Sequence, residues 1–305
     1  MLLLGAVLLV VAPHVAHFGP AVPLAALQDA GPLDATRLSH LALVTADFDS
    51  ATSSLFTVFG EELGAGSVSD DDWVWYRGSF TSARVRSASL RLGVAPTTFG
   101  LELVSPVDRS PSFWRELLDD TRFGAFFHHT GIEGVTNLTE TRAALAGLGC
   151  ETVQQGGGGS SGSCYAMVDC RATLGAVLEL RAASGTPCAK PVGGAAATLH
   201  QGAASASALP VRIGVATAAA GRPPLLNISL VNHQCLVTSD FNRTADAWSH
   251  IFGVAAPVGG LSPKAWQYYR GQLTNASVTL VKTPIGSVPS DPEASGFAME
   301  LVSPR

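Results

Sequence analysis

The stretch that decides the fold runs from Phe126 to Ala183. It opens with FFHHTGIEGVTNLTETRAALAGLGCETVQQ, crosses the run GGGGSSGS, and closes with CYAMVDCRATLGAVLELRA. A short apolar strand carries His129, and a helix-like segment follows it. Further strands are predicted at Cys150–Gln154, at Cys164–Cys170 and at the end of the stretch. The predicted order is therefore β-α-β-β-β.

A glutamate lies inside the last of these strands. Glu179 is flanked by Leu178 and Leu180, and because side chains alternate along a strand, it points to the face opposite the two leucines. An ionised group on the inner face of a sheet needs a charged partner or a metal ion. A histidine thus lies in the first strand of the stretch, and a carboxylate that needs such a partner lies in the last.

This pattern resembles the vicinal oxygen chelate superfamily, which includes glyoxalase I, methylmalonyl-CoA epimerase and the extradiol dioxygenases. The likeness to the epimerase branch rests on three short motifs. They are His128-His129-Thr130-Gly131-Ile132, Tyr165-Ala166-Met167-Val168-Asp169, and Leu174-Gly175 with Glu179-Leu180. The resemblance implies an α+β fold in which two βαβββ modules form one cup, and in which each module supplies one metal ligand from its first strand and one from its last.

A matching module precedes this stretch. Its opening strand is LSHLALV with His40, and its last strand is FGLELV with Glu102. We therefore predict a complete domain over residues 37–183, with modules at 37–106 and 124–183. Between the modules lies the connecting segment PVDRSPSFWRELLDDTRF.

The chain then repeats its first module. His40 and His233 are separated by 193 residues, and the same spacing relates Asp47 to Asp240 and the YRG motif at 76–78 to that at 269–271. Such a repeat indicates duplication of a domain. We predict an Ala/Gly/Ser/Pro-rich linker at 184–226 and an incomplete second domain, one module long, at 227–305.

A lone third module has half of a cup, with His233 and Glu300 as half of a second site. Its apolar sheet face is not expected to persist uncovered. Either the second domain is truncated, which we favour, or the third module pairs with another surface or chain and makes a homo-oligomer.

The composition argues against nucleic-acid binding, because the net charge is −5 and the chain has only 19 Lys and Arg.

The first residues and the sequons suggest a secreted protein. Residues 1–30 begin with MLLLGAVLLVVA, which predicts a signal peptide or signal anchor. Four Asn-x-Ser/Thr sequons fit the secretory pathway and an extracellular location. They lie at Asn137, Asn227, Asn242 and Asn275.

The five cysteines leave two interpretations open. If the strands at Cys150–Gln154 and Cys164–Cys170 form a hairpin, Cys150 and Cys170 lie near its open end, where a disulfide is feasible. Free buried thiols are the alternative.

The resemblance implies that one divalent metal ion is held by His40, Glu102, His129 and Glu179. Two imidazoles and two carboxylates suit Zn²⁺, Ni²⁺, Co²⁺, Mn²⁺ or Fe²⁺, with room for substrate. By the same resemblance Glu179 is the catalytic base. Trp75 and Arg77 are predicted to share one strand face and to bind substrate, although ordinary strand packing with a surface arginine is the alternative.

The function implied is that of an isomerase or lyase that abstracts a proton α to a metal-chelated carbonyl, as in the glyoxalase I and epimerase branches. Its substrate would be a small molecule with vicinal oxygens. The alternatives are an Fe(II)-dependent extradiol-type dioxygenase and a non-catalytic module that binds small molecules.

Overall fold

The computed structural model describes eleven stretches of the chain, and every structural statement below concerns these alone. They are residues 32–33, 38–92, 99–119, 125–159, 162–191, 233–253, 260–261, 267–269, 272–274, 278–284 and 298–304. The predicted signal segment at 1–30 and most of the predicted linker lie outside them. The sequons Asn227 and Asn275 lie outside them as well. Asn137 and Asn242 lie inside, and both are exposed.

The first module consists of one helix and six strands. They are β1 (Leu38–Thr45), α1 (Phe48–Phe59), β2 (Ser67–Val68), β3 (Trp73–Tyr76), β4 (Ser79–Thr81), β5 (Val85–Leu92) and β6 (Phe99–Pro106). The local sequence explains where helix α1 begins and ends. The Asp47 side chain caps it by accepting from the Ser50 amide at 3.0 Å, and Gly60 ends it in the left-handed conformation.

The second module follows the short connecting helix α2 (Phe113–Asp119). Its elements are β7 (Ala125–Val135), α3 (Leu138–Gly147), β8 (Glu151–Gly158), β9 (Ser163–Cys170), α4 (Arg171–Leu174) and β10 (Ala176–Ala182). The predicted β-α-β-β-β order is confirmed, with one extra helical turn between the last two strands.

Both modules share a single ten-stranded sheet. Its order is β2-β5-β6-β1-β7-β10-β9-β8-β3-β4. The two first strands, β1 and β7, run antiparallel at its centre, and each is flanked by the last strand of its own module in parallel, β6 and β10. The β3–β4 hairpin belongs to module one but pairs with β8 of module two. This exchange locks the modules together, and the predicted α+β cup is confirmed.

The glycine run at 156–159 is not the flexible loop that its composition suggests. Gly156 to Gly158 continue strand β8 and pair with β9 on one side and β3 on the other. A side chain at Gly156 would overlap the ring of Tyr165. The glycines are therefore needed because neighbouring groups approach the backbone closely.

Two disulfides fasten module two. Cys150 and Cys170 are bonded at the open end of the β8–β9 hairpin, which the sequence left as one of two interpretations. The second bond joins Cys164 of β9 to Cys188, and it ties residues beyond β10 back to the sheet.

The repeated module begins with β11 (His233–Val237) and α5 (Phe241–Phe252). Further strands are β12 (Gly260–Leu261), β13 (Gln267–Tyr269), β14 (Gln272–Thr274), β15 (Val278–Pro284) and β16 (Ala298–Pro304). Strand β11 pairs with β16 in parallel, as β1 pairs with β6. Asp240 caps α5 and Gly253 ends it, which repeats the cap and stop of α1.

Helix α5 packs against the core of module two. Trp248, Ile251 and Phe252 belong to the same buried cluster as Leu145 and Leu174. The carbonyl of Ile251 also accepts a hydrogen bond from the Leu33 amide at 3.0 Å. The repeated module thus contributes an apolar helix face to the first domain. No helix among the described residues is long and apolar enough to cross a membrane.

Replacing Ile251 by Ala should destabilise the first domain, because Ile251 is fully buried in the cluster that α5 shares with module two. Loss of a buried isoleucine typically lowers the free energy of unfolding by about 2–5 kcal/mol. Urea denaturation of the full chain measures it. Val237→Ala is the control: its side chain is 66% exposed, and the expected change is within about 0.5 kcal/mol. Equal, small effects of both substitutions would contradict the docking of α5.

Candidate metal centre

Four strands at the middle of the sheet carry the four predicted ligands. His40 lies on β1 and His129 on β7, while Glu102 lies on β6 and Glu179 on β10. In the parallel pairs Ala42 is opposite Glu102, and Gly131 is opposite Glu179. Each carboxylate is therefore two residues further along the ladder than its own module's histidine. This common register gives the two modules equivalent contributions.

The side chains meet inside the cup. Nε2 of His40 lies 3.3 Å from Nε2 of His129, and 3.5 Å and 3.2 Å from Oε2 of Glu102 and Glu179. Nε2 of His129 lies 3.6 Å and 3.5 Å from the same two oxygens. One donor atom from each residue lies within 4.8 Å of all the others. The structure therefore brings together all four residues that the sequence selected.

These separations suit a divalent metal ion. Bonds of 2.0–2.1 Å to a tetrahedral ion place neighbouring donor atoms about 3.4 Å apart, and five of the donor–donor distances are between 3.2 and 3.6 Å. All four residues are buried, with exposures of 0–7%. Two nitrogens and two carboxylate oxygens form a donor set that transition metals accept. The centre can hold one such ion.

Two glycines let His40 reach this position. A Cβ at Gly131 would overlap the imidazole of His40, and one at Gly100 would come within 2.7 Å of the His40 Cβ. Gly131 belongs to the motif that opens the second module. Its place in that motif has a physical reason, because the strand next to a ligand histidine must leave room for the ring.

The carboxylates are held ionised. Burial raises the pKa of Glu179, but Arg181 and His129 outweigh burial and bring it well below its usual range. Burial also raises the pKa of Glu102, and the hydrogen bond to His129 reverses that effect. Burial lowers the pKa of His129, yet the charges of Glu179 and Glu102 raise it to about 9. A metal ion held by His129 would compete with a proton for its nitrogen at neutral pH.

Arg181 is a residue of this centre that the sequence interpretation missed. Its Nε donates to Oε2 of Glu179 at 2.7 Å, and its Nη2 lies 3.4 Å from Oε1 of Glu102. It follows Glu179 by two positions on β10, so strand alternation alone puts both side chains on the same face. The signal was present in the sequence.

The centre opens into a cavity of about 170 Å³. Asp71, which precedes β3, contributes a carboxyl group that is not among the four ligands. Burial raises the pKa of Asp71 to about 6, with the charge of Asp70 as a second cause. Buried Tyr165 contributes a phenol whose pKa burial raises well above its usual value. The lining residues are Ser69, Asp71, Val85, Ser87, Glu102, Val104, Trp114, His129, Ser163, Cys164, Tyr165, Glu179 and Arg181.

The two predicted substrate-binding residues lie elsewhere. Arg77 is in the tight turn between β3 and β4, with a positive φ of 42°. Its guanidinium donates to Glu116 at 2.9 Å and also pairs with Glu151. Neither Arg77 nor Trp75 lines the cavity. Strand β3 ends at Tyr76. Arg77 lies one residue beyond the strand, so side-chain alternation does not place it on the face of Trp75.

The predicted half-site of the repeat has the same strand register. Cys235 is opposite Glu300 in the β11–β16 pair, as Ala42 is opposite Glu102 in the β1–β6 pair. The side chains of His233 and Glu300 lie outside the part of the chain that is described.

Two βαβββ modules whose first strands pair antiparallel within one curled sheet define the vicinal oxygen chelate fold, and the chain has this fold. The observed fold therefore agrees with the fold that the sequence motifs imply.

Comparison with known proteins gave similarities to solved structures only. No protein-family model and no curated protein sequence matched. Methylmalonyl-CoA epimerase bound to methylmalonyl-CoA and NH4⁺ is 18% identical with a TM-score of 0.37, over 50% of this chain and 99% of that one. The epimerase from Mycobacterium tuberculosis is 22% identical with a TM-score of 0.35, over 48% and 88%. A 4-hydroxymandelate synthase mutant from Streptomyces coelicolor is 13% identical with a TM-score of 0.42, over 90% and 63%.

Replacing Gly131 by Ala should abolish high-affinity metal binding, because the added methyl group would displace the His40 ring from the cluster. Titration with Zn²⁺ against a chromophoric chelator measures the affinity. Gly147→Ala is the matched control, since a Cβ there meets nothing within 4 Å. Undiminished Zn²⁺ affinity in Gly131→Ala would show that His40 does not need its observed position.

Proposed function

We propose that the protein is a divalent-metal-dependent isomerase or lyase that moves a proton next to a carbonyl group of a small substrate. One observation carries the proposal: four converging metal ligands adjoin a cavity that also holds a separate, protonatable carboxyl group, Asp71. A metal ion bound by His40, Glu102, His129 and Glu179 would supply Lewis-acid polarisation of the substrate carbonyl.

Asp71 is the proton acceptor that the geometry favours. It lines the cavity without belonging to the ligand cluster, and a pKa of about 6 suits proton transfer near neutral pH. The sequence assigned this role to Glu179. That carboxylate is held by Arg181 and His40, and its strongly lowered pKa makes it a weak base. We therefore assign Glu179 to metal binding and Asp71 to proton transfer.

Arg181 and Tyr165 are assigned to binding substrate oxygens. Arg181 is the only arginine or lysine that lines the described cavity, and its side chain is 36% exposed. Tyr165 keeps its proton because burial raises its pKa, so its hydroxyl can donate a hydrogen bond. These two donors flank the cluster and can orient a molecule with vicinal oxygens.

The volume of the cavity limits what enters it. At about 170 Å³ it is smaller than the 300–1,000 Å³ common for ligand pockets. We infer that only the reacting part of a substrate, a few atoms around the carbonyl, occupies the cavity. Any larger portion extends from its mouth.

We also propose that the protein is secreted. The apolar start of the chain and the four sequons support it. So do the two disulfides of module two, since such bonds persist mainly in oxidising compartments.

The metal centre can be tested directly by measuring the metal content of the purified full chain. We expect about one divalent ion per chain, and loss of it in the double variant His129→Ala/Glu179→Gln, which removes two of the four ligands. His250→Ala is the control, because His250 is exposed on α5 and lies outside the cluster. Unchanged metal content in the double variant would remove the proposed centre.

Proton transfer by Asp71 predicts a characteristic pH dependence. The carboxylate form is the base, so solvent-deuterium exchange into 2-oxo or thioester substrates should be constant above pH 6. Below that pH it should fall about tenfold per unit, because the pKa of Asp71 is about 6. Asp71→Asn should reduce exchange by about 10²–10⁴-fold with metal content unchanged.

Asp72→Asn is the control for this prediction, because Asp72 does not line the cavity. Exchange that persists in Asp71→Asn would assign the proton transfer to another group. No exchange over a broad panel, with metal bound, would favour the non-catalytic binding module. Oxygen consumption with a catechol would favour the dioxygenase.

A further inference from the structure

A β-bulge immediately precedes each ligand histidine. In the β1–β7 pair Leu38 is opposite Ile132 and His40 is opposite Gly131, which leaves Ser39 as the extra residue of β1. Further along the same pair, Ala42 is opposite His129 and Leu43 is opposite Phe127, which leaves His128 as the extra residue of β7. The two bulges occupy equivalent places in the two modules.

The bulges change where the preceding side chains point. In a regular strand Ser39 and His128 would face away from the histidines that follow them, as alternation predicts for His128. A bulge bends the strand and re-aims a side chain. Here Ser39 Oγ lies 2.8 Å from His40 Nδ1, and His128 Nδ1 lies 2.8 Å from His129 Nδ1. Each ligand histidine is thus hydrogen-bonded by its own predecessor.

The hydrogen bonds of Ser39 suit a His40 ring that carries its proton on Nδ1. The hydroxyl has one proton, and the carbonyl of Gly131, which can only accept, lies 3.3 Å from it. With that proton directed to Gly131, the hydroxyl accepts from Nδ1–H of His40 at 2.8 Å. The other nitrogen, Nε2, keeps its lone pair, and Nε2 is the atom that faces the cluster.

His128 has the equivalent position in the second module. It is 1% exposed and packs edge-on against the ring of Phe113. Two Nδ1 atoms at 2.8 Å share one proton. If Nε2 of His129 were bound to a metal ion, Nδ1 of His129 would carry that proton and His128 would accept. Metal-ligating histidines generally donate their second N–H to such a partner, which sets the orientation of the ring.

We propose that Ser39 and His128 are positioning residues for the metal centre, placed by paired β-bulges so that both ligand histidines present Nε2 to the ion. The proposal rests on the proposed metal centre and does not depend on the reaction it catalyses. In the repeat, Asn232 precedes His233, so each of the three module-opening histidines follows a residue that can accept a hydrogen bond.

The test compares His128→Phe with His128→Asn in the full-length protein. Phenylalanine keeps a ring but has no acceptor, whereas the Oδ1 of asparagine can accept from Nδ1–H. We expect His128→Phe to weaken Zn²⁺ binding by about 10–100-fold, measured by chelator competition, and His128→Asn to restore most of it. Ser39→Ala should act like His128→Phe, and Ser39→Thr should resemble wild type.

A second readout does not depend on affinity. Long-range ¹H–¹⁵N spectra report the tautomer of a histidine ring, and we expect the Zn²⁺-loaded wild type to show His129 protonated at Nδ1. The Co²⁺-loaded His128→Phe variant should also show an altered visible absorption spectrum, because the ligand ring is reoriented. A variant that merely loosened the core would not be rescued by asparagine.

Three outcomes would overturn the proposal. One is unchanged Zn²⁺ affinity in a folded His128→Phe, and another is His128→Asn that binds no better than His128→Phe. The third is wild-type protein that binds no Zn²⁺, which would also overturn the metal centre. Zn²⁺ binding without deuterium exchange would overturn the proposed reaction alone and leave this proposal standing.

Discussion

The antiparallel pairing of β1 with β7 is the constraint on which the rest of the structure depends. It joins the two modules into one sheet, and it brings His40 opposite Gly131 and Ala42 opposite His129. Since each first strand is flanked in parallel by its module's last strand, this one pairing also brings Glu102 and Glu179 to the centre. A slip of one residue would turn the ligands of one module to the wrong face. The bulge at Ser39 shifts this register by one residue and the bulge at His128 shifts it back, and each bulge redirects one side chain.

A contribution to folding stability does not explain the charged groups that this strand pairing brings together. Two carboxylates, an imidazole with a raised pKa and the guanidinium of Arg181 lie in or beside a buried site. Removing such groups from water costs several kcal/mol per ion, and well-packed apolar residues often replace buried ion pairs without loss of stability. Strongly perturbed groups that line a cavity are typical of functional sites. The arrangement is therefore best explained by ligand binding.

The sequence predicted what alternation and repetition control. Alternation gave the strand positions of His40 and His129 and of the leucine-flanked Glu102 and Glu179, and the family resemblance assigned the four residues to one cluster. Arg77 was misplaced because a tight turn ends β3 before it, and turn geometry at a non-glycine residue with positive φ has no signal in alternation. Alternation places His128 on the face opposite His129, and it cannot predict the bulge that redirects His128, because a bulge depends on the partner strand. The Cys164–Cys188 bond was not predicted, because it depends on the path of the chain after β10.

The repeated module keeps the strand register of the first module but differs in the neighbours of its first strand. Its β11–β16 pair keeps the register that places a histidine and a glutamate two ladder positions apart. Among the described strands, however, β11 is at the edge of its sheet, whereas β1 has β7 as a second neighbour. The apolar face of α5 packs against the first domain, and the four candidate ligands that converge among the described residues all belong to the first cup.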